Sequence, residues 1–298
     1  TPLADDYLSA LSMISSIEPH TLLYIFLPAL LFESANAIES HVFRKVLGKA
    51  LTLAFPAMFA GVALMALVVK ALYPAWGWAA CLLLGTITSA TDPVAVVATL
   101  RELGAKPSLS TTIEGESLLN DGTAVVFFVL LKEIVVVGEM KEWWWMAWDF
   151  VRMAGGGPLI GWAWGVVSLA WILRVFNDSL VEITISITSA YLAYYVSENS
   201  LGSSGVLTVV TLGLCYGSTL GRTCISPEVI HFLHEFWETL GYLANTVIFV
   251  LTGVVILYNT NFAALELWDI AVCALVYVGA TVVRFLLFAL TFPLFRKM

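Results

Sequence analysis

Two aspartates lie in apolar stretches where a carboxylate is energetically costly. Asp121 and Gly122 are followed by the apolar run Thr123–Leu131, and Asp92 is followed by Pro93. A charged side chain at the centre of a bilayer costs about 2.5–3.5 kcal/mol on insertion scales, so it persists where it faces water, an ion or a protein partner. Two such acids on neighbouring spans predict a protein that moves a cation or a proton.

Polar residues cluster just before Pro93, namely Thr88, Ser89, Thr91 and Asp92. Proline removes a backbone donor and clashes with the preceding turn, and the residue before it avoids the helical region. Carbonyls that are freed at membrane depth must be satisfied by protein, water or an ion, and transporters hold cations at such broken helices. The alternative is a simple kink filled by the Ser and Thr hydroxyls, but the adjacent carboxylate favours an ion site.

The segment that carries Asp121 is predicted to be a helix with its polar groups along one stripe. Residues four apart stack on a helix, so Ser117 shares a face with Asp121, and Glu116 shares the next face with Asn120. A helix start explains acids in the first turn, where they interact well with the helix dipole. It does not explain Asp121, which lies further along the helix.

Arg284 lies within the last apolar run, three turns from Arg296 and too far from it to reach the interface comfortably. A guanidinium is always charged, so it needs a carboxylate partner. A fixed cation would repel a transported one, which favours a structural ion pair over a contact with the cargo. The residues alone leave five acids open as the partner: Glu33, Asp92, Glu116, Asp121 and Glu182.

The composition places these residues in a membrane protein. Of the 298 residues, 60% are hydrophobic and 12% are charged, about half the charge of a soluble domain, and the mean hydropathy is +0.90. At about 20 residues per span, we predict an all-α polytopic bundle forming one domain over residues 1–298. The nine predicted spans are 20–38, 50–72, 77–100, 113–138, 150–173, 181–197, 204–220, 236–257 and 269–293.

The remaining features concern the packing of the helices, nucleic-acid binding and metal binding. Gly115 and Gly122 are expected to let a neighbouring backbone approach the fourth span, whereas Gly138–Trp148 and Gly155–Pro158 are expected to be soft points. The net charge of −8 excludes a basic nucleic-acid footprint. The four cysteines lack metal-ligand spacing, so no resident metal or cofactor is expected.

The distribution of basic residues predicts the orientation. Of the 14 basic residues, nine fall on one side of the predicted bundle and four on the other, with Arg284 on neither. This bias predicts a cytoplasmic C-terminus and an N-terminus outside. The majority side holds Arg44, Lys45, Lys49, Arg101, Lys106, Arg174, Arg222, Arg296 and Lys297, and the other side holds Lys70, Lys132, Lys141 and Arg152.

Three motifs together resemble the monovalent cation/proton antiporters of the sodium/proton exchanger type. They are FLPALLFES at 26–34, ATDPVAV at 90–96 and EGESLLNDGTA at 114–124. Two later segments, 205–213 and 244–249, are most similar to the plant-type salt-tolerance exchangers of the plasma membrane. The resemblance extends from about residue 20 to the end of the sequence.

The resemblance implies an inverted-repeat bundle with two crossing broken helices, assembled as a homodimer. It implies that Asp121 alternately holds the cation and the proton, with Asn120 as its neutral neighbour. Thr91 and Asp92 would belong to the first broken helix, and Glu116 with Arg284 would form the structural ion pair. The family has about thirteen spans, so nine spans predict a chain that lacks the first two helices and the last two, including the second broken helix.

The resulting hypothesis is an antiporter, not an enzyme, that exchanges Na⁺ for H⁺, with K⁺ or Li⁺ as alternative cations. The resemblance associates a neutral Asn120 beside Asp121 with one-for-one, electroneutral exchange. Hard oxygen ligands suit an alkali cation. A cation channel and a non-transporting sensor of the same fold remain open. An intramembrane aspartyl protease using Asp92 and Asp121 is disfavoured, because neither has the Tyr-Asp or Gly-x-Gly-Asp context expected of one.

Overall fold

The computed structural model describes residues 13, 18–91, 93–138, 142–175, 177–260 and 267–295, and every regular element within these ranges is helical. Two π-helical turns interrupt the α-helices: Leu53–Ala57 joins α2 to α3, and Val196–Ser200 follows α8. The helices are α1 (Pro19–Ala37), α2 (Ser40–Thr52), α3 (Met58–Leu72), α4 (Trp78–Ser89), α5 (Val94–Glu102), α6 (Pro107–Val137), α7 (Trp143–Ile172), α8 (Ser179–Tyr195), α9 (Gly205–Tyr216), α10 (Thr219–Cys224), α11 (Pro227–Asn259) and α12 (Leu267–Phe295).

Several helices have the length and composition of membrane spans, which confirms the predicted all-α polytopic class. Within the described residues, five helical stretches are long and apolar enough to cross a bilayer: Ser40–Leu72, Trp144–Ile172, Ser179–Ser200, Pro227–Asn259 and Leu267–Thr291. Three shorter apolar helices accompany them, at Thr21–Ala37, Trp78–Ser89 and Gly205–Tyr216. Helix α6 has 31 residues, which is long enough to span, but it carries the acids discussed above. The number of nine spans stays a prediction.

Two helices begin about nine or ten residues earlier than predicted. Residues 40–49 form the start of α2, where Phe43 and Val46 are buried and the basic residues between them point outwards. Likewise α11 begins at Pro227 and buries Val229, Leu233 and Trp237 in its first turns. Both starts are amphipathic and carry several charged residues, so a search for continuous hydrophobicity places the start of each span too late.

The Gly155–Pro158 run is not a soft point, contrary to the prediction, because α7 continues through it without interruption. Two of its three glycines, Gly156 and Gly157, pack against the start of α9 and the residues just before it, and Gly161 further along α7 packs against α9 itself. A side-chain carbon at Gly157 would lie 2.8 Å from the carbonyl oxygen of Ser204, and one at Gly161 would collide with the carbonyl oxygen of Thr208. Small residues permit such close helix contacts in membranes. The other predicted soft point, Gly138–Trp148, is narrower than expected, since α6 ends at Val137 with Gly138 as its cap and α7 begins at Trp143.

The largest buried cluster lies where α1, α8, α9 and α11 meet. Phe32 of α1 packs its ring against Tyr216 of α9 and Trp237 of α11, with ring centroids 5.1 and 4.3 Å apart. These three side chains are fully buried. Helix α6 lies beside this cluster, so its polar residues project from a well-packed support.

Candidate functional site

The predicted interruption before Pro93 is present. Helix α4 ends at Ser89, Ala90 is extended with ψ 128°, and α5 begins at Val94. The first turn of α5 closes through the N–H of Val97, which donates to the carbonyl oxygen of Pro93 at 2.8 Å. Asp92 lies outside the described residues.

Side chains of α6 satisfy the carbonyls that this break leaves exposed. The last four carbonyls of a helix have no partner within it. The Nδ2 of Asn120 donates to the carbonyl oxygen of Ser89 at 3.0 Å, and the Oγ of Ser117 donates to that of Thr91 at 2.8 Å. Both side chains are almost completely buried. Two predicted site residues, Ser117 and Asn120, therefore stabilise the interruption between α4 and α5.

A third polar residue of α6, Thr123, contacts the π-helical turn between α2 and α3. Its Oγ1 lies 3.2 Å from the carbonyl oxygen of Ala54, and its side chain is fully buried. This contact was not predicted from the sequence. Pro56, inside the second predicted span, was the available signal, because a proline within a helix disturbs the backbone bonding as Pro93 does.

These elements enclose a cavity of about 60 Å³. Its polar lining comes from Thr88 and Ser89 at the end of α4, from Glu116 and Asn120 on α6, and from Arg284 on α12. A volume of this size has room for a few water molecules. Among the described residues, the Oδ1 of Asn120 finds no hydrogen-bond partner although it is buried. A residue that lines the cavity therefore carries a buried acceptor that no described group satisfies.

Arg284 lies against Glu116, with Nη2 and Oε1 3.4 Å apart. The Glu116 side chain is 11% exposed and that of Arg284 is 37% exposed. Two of the other acids that were considered as partners of Arg284 form hydrogen bonds with other residues. Glu182 accepts hydrogen bonds from Ser226, and Glu33 accepts one from Ser34.

Asp121 directly follows Asn120 on α6 and is half-buried. It lies about 100° further around the helix than Asn120 and one turn beyond Ser117. The structure therefore brings Thr91, Ser117 and Asn120 together around the break, with Asp121 on the adjoining face. The neighbouring glycines are tightly packed as expected, but against side chains and not backbones. Gly115 meets the ring of Phe43, and Gly122 meets Leu207 of α9.

The fold matches that of a solved transporter. Over 89% of this chain and 64% of the other, the structure resembles the sodium proton antiporter MjNhaP1 from Methanocaldococcus jannaschii, with a TM-score of 0.72 and 20% sequence identity. At that identity the likeness establishes the fold alone. It agrees with the antiporter fold that the sequence resemblance implied.

Comparison of the sequence gives the family. Sodium/hydrogen exchanger 7 from Arabidopsis thaliana is 46% identical over 243 residues, which are 81% of this chain and 21% of that protein. The Na⁺/H⁺ antiporter ApNhaP from Aphanothece halophytica is 35% identical over 247 residues, which are 80% of this chain and 45% of that protein. The chain thus spans between about a fifth and a half of these relatives. The family model described as sodium/hydrogen exchanger, transmembrane, matches residues 7–297. The chain belongs to the sodium/hydrogen exchanger family, and its resemblance to the plant-type members is confirmed.

Proposed function

We propose that this chain forms the ion-exchanging part of a secondary active antiporter that exchanges Na⁺ for H⁺, with K⁺ or Li⁺ as alternative cations. The relatives named above are sodium/hydrogen exchangers and antiporters. The observation that carries the proposal is the position of Asp121. It lies on the helix whose Ser117 and Asn120 hold the carbonyls of the broken helix.

The proposed chemistry is competition at one carboxylate. Asp121 binds either a proton or a cation, so the binding of one releases the other. The other cation ligands are Thr91, Ser117 and Asp92, whose hard oxygens suit an alkali ion. A carbonyl oxygen has two lone pairs, so that of Thr91 can accept from Ser117 and still contact a cation. Because Asn120 is neutral, one charge is exchanged for one charge, which makes the exchange electroneutral.

Glu116 and Arg284 have a structural role in this proposal. The contact between them compensates the arginine charge at the wall of the cavity. An uncompensated guanidinium there would repel an approaching cation. Neither residue needs to bind the transported ion.

The proposal also covers the cellular setting. We place the protein in the plasma membrane, as its resemblance to the plant-type salt-tolerance exchangers implies. The bias of nine basic residues against four supports an N-terminus outside and a C-terminus in the cytoplasm. We further propose a homodimer, a single transport domain over residues 1–298, and no enzymatic activity.

The test is cation-dependent proton flux in proteoliposomes that contain the full-length protein. Asp121→Asn keeps the size of the side chain and removes the carboxylate, so we expect the flux to be abolished for every cation. The control is Asp149→Asn, because Asp149 pairs with Arg152 at 3.6 Å outside this site, and the flux should persist. Persistent flux in Asp121→Asn would refute the assignment. Cation movement that neither saturates nor requires a proton gradient would indicate a channel instead.

A further inference from the structure

The π-helical turn at Leu53–Ala57 rearranges the backbone bonds of its helix. Pro56 has no N–H to donate. The N–H of Met58 donates to the carbonyl oxygens of Leu53 and Phe55, whereas in an α-helix it would donate to that of Ala54. Ala54 therefore loses the donor that a regular helix provides. Isolated π-helical turns occur frequently at functional sites.

Thr123 provides a donor to this carbonyl from the neighbouring helix. Its Oγ1 lies 3.2 Å from the carbonyl oxygen of Ala54. The same hydroxyl lies 2.8 Å from the carbonyl oxygen of Leu119 and 3.0 Å from that of Asn120, both within α6. A hydroxyl has one hydrogen to donate, so the bond between helices competes with two bonds inside α6. This link can form or break without moving the side chain out of the core.

The π-helical turn and the break at Pro93 meet at one place on α6. Leu53 and Ala57 of the turn and Ser89 at the break line the same cavity. Asn120 donates its side-chain amide to Ser89, and its own carbonyl lies within bonding distance of Thr123. Asn120 and Thr123, which are three positions apart on α6, therefore contact the two interrupted helices, and Asp121 lies between them.

We propose that Thr123 is a positioning residue that holds the π-helical turn against α6 and so fixes the spacing of the two interrupted helices around Asn120 and Asp121. Thr123 touches no transported ion in this arrangement. Its effect on transport rests on the proposed function, whereas its bond to the turn does not.

The first test is a double-mutant cycle on thermal unfolding of the purified full-length protein in detergent. Thr123→Val keeps the shape of the side chain and removes the hydroxyl, so we expect a lower unfolding midpoint, and Thr123→Ser should restore it. Pro56→Ala should allow a regular helix, in which Met58 supplies the donor to Ala54. In that background the shift caused by Thr123→Val should be at most half as large. Additive effects of the two substitutions would overturn the proposal, because non-additivity is the signature of a direct link.

The second test measures proton flux at varied Na⁺ concentration. Thr123→Val should raise the apparent KM for Na⁺ roughly two- to tenfold, the change equivalent to losing one neutral hydrogen bond. The matched control is Thr86→Val. Thr86 is also buried, but its hydroxyl donates within its own helix, to the carbonyl oxygen of Leu82 at 2.9 Å, so the KM of this variant should stay at the wild-type value.

The outcomes separate this inference from the proposed function. If Asp121→Asn abolishes flux and Thr123→Val leaves the KM unchanged, the exchanger assignment stands and the positioning role is wrong. If Asp121→Asn leaves flux intact, the exchanger assignment fails, and the unfolding cycle still decides whether Thr123 is bonded to the turn.

Discussion

The side-chain amide of Asn120 donates to the carbonyl oxygen of Ser89 across 3.0 Å, from the middle of α6 to the last residue of α4. This bond satisfies the carbonyl at the end of α4 without a water molecule. An amide can donate this bond and still offer an oxygen to the cavity. The residue identified as the neutral neighbour of Asp121 therefore also maintains the broken helix.

Removing that amide should destabilise the protein. In Asn120→Ala the carbonyl of Ser89 loses its partner in a buried position, and an unsatisfied buried group costs about 1–3 kcal/mol. Thermal unfolding in detergent measures the loss. Asn259→Ala is the control, because Asn259 makes an exposed bond within α11, to Val255, and its loss should be much smaller. Equal shifts for the two variants would contradict the capping role.

A second prediction concerns the contact of α7 with α9. In Gly161→Ala the added carbon would collide with the carbonyl oxygen of Thr208, and overpacking of this kind costs about 1–3 kcal/mol. Gly155→Ala in the same helix is the control, because nothing lies within 4 Å of the added carbon. The unfolding midpoint should fall for the first variant and stay the same or rise slightly for the second. A fall of similar size in both would show that helix propensity, and not the contact, is being measured.

The contact between Glu116 and Arg284 predicts a charge-exchange rescue. Glu116→Gln should destabilise the protein by less than the about 3–5 kcal/mol of a fully buried pair, because Arg284 is 37% exposed. Glu116→Arg alone places two cations together and should be worse. Combining it with Arg284→Glu should recover part of the stability, measured as the unfolding midpoint. Equal midpoints for the single and the double variant would argue against a direct pair.

Glu182 should contribute to the position of α11. Its carboxylate is 1% exposed and accepts from the N–H and the hydroxyl of Ser226, at 3.2 and 2.5 Å, at the start of that helix. Hydrogen bonds to a charged group contribute about 1.5–3 kcal/mol, so Glu182→Ala should lower the unfolding midpoint clearly.

The control for that prediction is Glu235→Ala. Glu235 makes a solvent-exposed pair with His231 at 3.4 Å, and such pairs contribute about 0–1 kcal/mol. A loss in Glu182→Ala no larger than the loss in this control would show that the buried carboxylate does not hold the start of α11.

The sequence predicted those parts of the site that have a local signal. Proline disturbs its own helix, so the break before Pro93 could be found from a few residues. The partner of Arg284 had no local signal, because charge alone allowed five acids, and only the resemblance selected Glu116. The contact from Thr123 to Ala54 was missed because the sequence does not show which apolar helices are neighbours.

The errors in the predicted fold have related causes. A hydrophobic window excludes amphipathic turns, so the starts of α2 and α11 were placed too late. Gly155–Pro158 was predicted to be soft because glycine and proline end helices in water. In a membrane bundle the absent side chain of Gly161 is what allows α9 to approach.

The contact of α7 with α9 has a mechanical consequence. At Gly157 and Gly161 the backbone of α7 faces the carbonyl oxygens of Ser204, the residue just before α9, and of Thr208 within it, and backbones cannot rearrange as side chains do. We therefore expect these two helices to move together in any conformational change. Helix α6 meets the same α9 through the flexible side chain of Leu207 at Gly122, where small sliding movements are possible. We therefore expect any sliding between α6 and α9 to occur at Gly122, directly beside Asp121.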